Sequence, residues 1–133
     1  MTEEENKKLL IRLFSEGINK KNTEVLDEII SPTYVNHGFP DTNPGIAGFR
    51  EIVENFTSTF PDINIDFDTI IAEGDMVATM GSWKGTHQGN FMGVSATGKE
   101  VHVTFMDMWK FKEGKAIENW VFMDIPGLMQ QLH

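Results

Sequence analysis

Residues 101–124 read VHVTFMDMWKFKEGKAIENWVFMD, two runs rich in β-branched and aromatic residues on either side of Glu113-Gly114. A two-residue turn at that pair predicts a hairpin, with strands at about Val101 to Phe111 and Ala116 to Asp124. Lys112 then faces Lys115, and the pairing propagates outward in a fixed register. One face carries Val101, Val103, Phe105, Asp107, Trp109 and Phe111 together with Glu118, Trp120, Phe122 and Asp124. The other carries His102, Thr104, Met106 and Met108 with Ile117, Asn119, Val121 and Met123. The first holds the aromatics and is assigned to the interior. The second is too apolar for a face left in water and predicts a partner surface, a second copy of the chain.

Upstream the same period of two continues. Ile63, Ile65, Phe67 and Ile71 alternate with Asn64, Asp66 and Asp68 as in a strand with one wet face. After a turn at Glu73-Gly74-Asp75, Met76 to His87 is again extended, and QGNFMGVSATGKE is a Gly-rich connection. Before Pro61 the period is helical. Thr2 and Glu5 form a capping box ahead of Leu9, Leu10, Leu13, Phe14 and Ile18. Val25, Leu26, Ile29 and Ile30 mark a short second helix. A third carries Ile46, Phe49, Ile52, Val53, Phe56 and Phe60. Between the last two, SPTYVNHGFPDTNPG is rich in turn formers and predicts a loop with a few extended residues. Helices followed by antiparallel strands predict an α+β fold, helices on one face of a curved sheet.

The 133 residues fit one domain spanning 1–133, and at 40% hydrophobic and 23% charged they match a packed globular protein. With no cysteine, disulfide frameworks, thiolate metal sites and cysteine nucleophiles are excluded. Eleven Lys and Arg against 20 Asp and Glu give a net charge of −9, which opposes binding to nucleic acid or an anionic membrane. No apolar run is long enough to span a bilayer, and MTEEENKK lacks a signal-sequence pattern, so a cytoplasmic location is expected.

Asp124 is the leading candidate for chemistry. On the register above it lies among Trp120, Phe122 and Val103, where loss of water would raise its pKa toward the range useful for proton transfer. The competing reading makes Asp124 the end of its strand, capping the IPGLM turn in water. Asp62, Asn64, Asp66, Asp68 and Glu73 superficially copy a calcium loop, but Phe67 stands where the sharp turn needs glycine. His37, His87 and His102 have no short metal-binding spacing, and no metal is expected. His37, beside Asn36 in a loop between helices, is placed to line a pocket mouth. Phe14, Phe56, Trp83, Phe105 and Trp109 are core residues by default. A few of them would wall any cavity, suiting it to an apolar ligand.

The segments YVNHGFP (34–40), FTSTFPDINIDFDTIIAEGDMVA (56–78), GTHQGNFMGVSATGKEV (85–101) and WKFKEGKAIENWVFMDIPGLMQQL (109–132) resemble the SnoaL-like polyketide cyclases, often called ester cyclases. The resemblance implies the nuclear transport factor 2-like (cystatin-like) fold, a cone of curved antiparallel sheet closed by helices. It also implies an intramolecular aldol condensation that closes a ring in a polyketide ester. The aspartate at the place of Asp124 would be the acid/base, without metal or cofactor. A second carboxylate at Asp107, if interior, would raise the pKa of one of the pair. The expected substrate is a small apolar carbonyl compound, with His37 and Trp120 lining the pocket or donating hydrogen bonds to the developing oxyanion. The same pocket also suits isomerisation, dehydration or hydrolysis, and a non-catalytic carrier or interaction dimer is the reading from a different class.

Overall fold

The computed structural model describes residues 2–39 and 41–133; Met1 and Pro40, the last residue of YVNHGFP, lie outside the described residues. Helix α1 (Glu3–Arg12) starts where expected, with Thr2 Oγ1 accepting the Glu5 N–H at 3.1 Å. It continues into a wider π-helical stretch, Leu13–Asn19, that buries Leu13, Phe14 and Ile18. There Gly17 allows α2 (Glu24–Ile29) to approach, since a Cβ would meet Leu26 Cδ2 at 3.0 Å. Helix α3 (Gly45–Thr59) ends ahead of Pro61 and turns Phe49 and Val53 into the core.

Most of the first half of the predicted loop is a strand. β1 (Ile30–Asn36) runs parallel to the last strand, pairing Ile30 with Ala116 and Asn36 with Asn119. Its Ser-Pro-Thr start reads as a turn because nothing local signals a parallel partner some 85 residues away in sequence. β2 (Asn64–Glu73), β3 (Met76–Thr86), β4 (Glu100–Lys112) and β5 (Lys115–Met123) follow. The sheet order is β1-β5-β4-β3-β2. The sheet is curved and unclosed, with the N-terminal helices on its concave side, which is the expected α+β class. Register shifts in β1, β2 and β5 add local bend and twist. At the β2 shift Gly81 is obligatory, because a Cβ there would lie 2.2 Å from the Asp66 carbonyl oxygen. Asp66 and Asp68 stand on this exposed strand side rather than in a calcium loop.

The hairpin turn is as predicted, with positive φ at both Glu113 (50°) and Gly114 (78°) and Lys112 opposite Lys115. Phe111 pairs with Ala116, but Lys110 pairs with Glu118, so Ile117 is an extra residue. The bulge inverts β5 beyond it. The β4 assignment stands: Val101, Val103, Phe105, Asp107, Trp109 and Phe111 are all buried. The β5 assignment is corrected. Asn119, Val121 and Met123 face inward, while Trp120, Phe122 and Asp124 take the other side.

The helix α4 (Ile125–Leu132) packs Leu128 and Leu132 into the core. It also completes the end of β4 that β5 is too short to reach. The Gln131 amide accepts from the His102 N–H and donates to the His102 carbonyl, both at 2.8 Å. The Asp124 N–H donates to the Thr104 carbonyl at 3.0 Å. A side chain thus supplies the ladder bonds that a longer strand would have made.

Candidate active site

Between α3, the π-helical stretch and the concave side of the sheet lies a cavity of about 80 Å³. Its walls are aromatic. Phe14 meets Trp109 edge-on at 5.8 Å between ring centroids, and Phe56 meets Trp83 at 5.9 Å. The lining also includes three polar side chains, Asn36, Asp107 and Asn119. Asp107 is the only ionisable side chain among the described lining residues.

The register explains how these groups meet. Asp107 and Trp109 are two apart on β4 and share its inner face, and Asn119 is directly opposite Trp109 on β5. Residues opposite one another in an antiparallel pair have Cβ atoms about 4.5–5.5 Å apart, and diagonal neighbours stay within reach of long side chains. Burial pushes the Asp107 carboxyl up to about 7, because its charged form would give up water for aromatic walls. The Trp109 indole N–H pulls the other way, although its geometry falls short of a formed hydrogen bond. Asp107 Oδ1 is buried without a partner, as are Trp109 Nε1, Trp83 Nε1 and Asn119 Nδ2. Behind Asn119, the Tyr34 hydroxyl donates to its Oδ1 at 2.8 Å. The tyrosine's own ionisation is pushed strongly upward by burial and by the nearby Asp107. Tyr34 therefore stays a neutral donor.

Of the residues expected at the site, Phe14, Phe56, Trp83, Phe105, Asp107 and Trp109 line this cavity. Asp124 does not. The Ile117 bulge carries it to the exposed side, where its Oδ1 accepts the Gly127 N–H at 2.9 Å and caps α4. This is the competing reading of the sequence, and it removes the burial on which an acid/base role at Asp124 rested. Trp120 is corrected for the same reason. His37 is also outside: its ring stacks on Trp120 at 4.8 Å and bonds to Glu118 at 3.1 Å. Both rings line a surface groove of about 310 Å³ whose wall shares Phe39, Val121 and Met123 with the cavity. His87 is buried, its Nδ1 accepting the Thr97 N–H, and His102 is exposed. Among the described residues no cluster of three or more His, Asp or Glu is arranged to hold a metal.

Tyr34, Asn36 and Asn119 were missed by the sequence reading. Asn119 had a signal, a lone amide in an apolar strand, but the unbulged register placed it outside.

An α+β protein whose curved sheet wraps an aromatic-walled cavity around one buried acid defines a class, and comparison with known proteins gives that class its family. The sequence profile of the SnoaL-like polyketide cyclases matches residues 8–132, and the chain belongs to this family. Among solved structures it is similar to TsrD of Streptomyces laurentii, at 25% identity and TM-score 0.91 over 99% of this chain and 97% of that one. It is also similar to AclR of Streptomyces galilaeus, provisionally described as a hydroxylase, at 27% identity and TM-score 0.86 over 98% and 97%. IdmH of Streptomyces antibioticus, provisionally described as a polyketide cyclase, is 29% identical with TM-score 0.82 over 96% and 97%. A comparison with curated proteins finds no match. No helix of the described residues is long and apolar enough to cross a membrane.

Proposed function

We propose that the protein catalyses acid/base chemistry at carbon inside this cavity, closing a ring in a small apolar carbonyl compound, with Asp107 as the acid/base. The observation that carries the reading is the position of Asp107, the sole ionisable side chain among the described lining residues of a wall whose other polar groups are two amides and two indole N–H groups. An acid poised at about 7 exchanges protons in both directions near neutral pH. As carboxylate, Asp107 takes a proton from the carbon next to a carbonyl. The enolate attacks a second carbonyl of the same molecule, forming the carbon–carbon bond. The resulting alkoxide takes the proton back from Asp107, so the group ends as it began. The scheme calls on no cofactor. Isomerisation and dehydration begin with the same abstraction, and analysis of the product separates them from ring closure.

The first step can be measured without the natural substrate. Exchange of the α-protons of 1-indanone in D₂O, followed by NMR, reports carbon-acid catalysis directly. Asp107→Asn, which keeps shape and removes the acid, is expected to lower the rate by on the order of 10²–10⁴. An unchanged rate in a folded variant ends the proposal.

The convex face of the sheet supports a second part of this reading, pairing with another copy of the chain. Met80, Met106 and Phe122 form one cross-strand row, and Met108 and Trp120 pair in the next. Phe122 is 75% exposed and Met106 58%. On β5 the face differs from the sequence expectation, with Glu118, Trp120, Phe122 and Asp124 where Ile117, Asn119, Val121 and Met123 were expected. Two chains of net charge −9 repel over most of their surfaces, so an uncharged apolar row is the favourable place for them to meet about a two-fold axis.

A further inference from the structure

Four buried polar atoms without partners belong to the cavity's lining residues, and three of them are donors. Native proteins leave few such groups, so each calls for an explanation. Trp83 lies towards the β2 side of the sheet, opposite Val103 and Ile65. The Trp109 N–H is inclined to Asp107. The amide of Asn119 differs from both. It is fully buried, and its Oδ1 is already engaged by the Tyr34 hydroxyl. With Oδ1 so engaged, the Nδ2 donor is left unpartnered. Tyr34 is itself held by stacking on Trp109 at 6.4 Å and by an edge contact with Phe49 at 5.5 Å.

We infer that Asn119 is the catalytic donor that receives the substrate's carbonyl oxygen, positioned for that task by Tyr34, and that the cavity accordingly selects enolisable ketones over hydrocarbons of the same shape. The inference deepens the acid/base reading and rests on the same cavity. As the α-proton leaves toward Asp107, negative charge gathers on the carbonyl oxygen, and a preorganised donor in a dry site stabilises it there. Asn119 lies diagonally across the β4–β5 pair from Asp107, so a proton acceptor and an oxygen donor belong to the same stretch of the cavity wall. The volume of about 80 Å³ suits a compact molecule, since a water needs roughly 10–15 Å³ of the same kind of space.

Binding of 1-indanone and of indane to the full chain tests this, because the two probes differ chiefly in one oxygen. Without a donor, an apolar cavity prefers the hydrocarbon, since burying an unpaired carbonyl is unfavourable. With one, wild type at about pH 8, where Asp107 is largely ionised, should prefer the ketone by about tenfold. Asn119→Leu should invert that preference, and Tyr34→Phe should weaken it. The infrared carbonyl stretch of bound 1-indanone should fall below its value in a hydrocarbon solvent. This wild-type measurement holds even if a variant does not fold. An unshifted stretch, failure of 1-indanone to bind, or a ketone preference that survives in folded Asn119→Leu overturns the assignment. The Asp107→Asn variant keeps the two proposals apart. Loss of α-proton exchange with the ketone preference intact supports both, whereas retained exchange with the preference intact removes the acid/base and leaves the donor.

Discussion

Burial of Asp107 links the stability of the protein to pH, in a direction opposite to that of an ordinary surface carboxylate. Its folded pKa of about 7 lies above the value of roughly 3.9 expected in the unfolded chain. Between the two the unfolded chain has released its proton and the folded protein has kept it. The contribution is therefore fully present below about pH 4 and is lost as pH rises through about 7. Urea unfolding should show wild type losing on the order of a few kcal/mol across that interval, with Asp107→Asn losing much less. If chemistry uses the ionised form, kcat/KM should rise through the same upper limit. At Asp124 the expectation is modest. Asp124→Ala removes the cap of α4 and should cost about 1 kcal/mol in thermal or urea unfolding, with α-proton exchange unchanged. A large loss of exchange would return Asp124 to the catalytic role that the family resemblance implies.

Among the elements, β2 to β5 and the first three helical stretches were legible because their periods are clean and their stops are strong, as at Pro61 and Glu113-Gly114, whereas β1 read as a loop and α4 as a turn. What local patterning does not contain is the phase of β5. Ala-Ile-Glu-Asn-Trp-Val-Phe-Met carries large apolar residues on both alternating sets, so either side fits the interior by hydropathy alone. The extra residue at Ile117 settles it, and that depends on pairing rather than on the segment's own composition. The inner face of β4 was readable since Val101, Val103, Phe105, Trp109 and Phe111 all point the same way. Phe105, Trp109 and Asp107 of the cavity wall followed from it, while Asn119 and Asn36 did not. Gln131 shows a related limit, because a side chain substituting for a strand has no periodic signature. Gln131→Ala leaves both His102 backbone groups without these partners. It should lower stability by about 1–2 kcal/mol in denaturant unfolding, since solvent can replace part of the loss.

For the whole molecule, charge and shape act together. The net charge of −9 opposes contact between copies over most of the surface, and the proposed pairing uses the uncharged residues Met80, Met106, Met108, Trp120 and Phe122 of the convex sheet. Light scattering at micromolar concentration should give about twice the mass of one 15.1 kDa chain for wild type. Phe122→Asp, which adds a like charge at the most exposed residue of the row, should return it to one. Neither result should change the carbonyl preference of the cavity, which lies on the other side of the sheet.

The insertion at Ile117 reaches well past its own turn. Each side chain from Glu118 to Met123 owes its side of the sheet to that single residue, so a change of length there works as a toggle. A chain without Ile117 would trade Asn119, Val121 and Met123 on the cavity wall for Glu118, Trp120 and Phe122 in one step, with every amino acid downstream unaltered. Gain or loss of one codon, rather than stepwise substitution, is thereby a short route by which this scaffold exchanges one set of cavity-lining side chains for another.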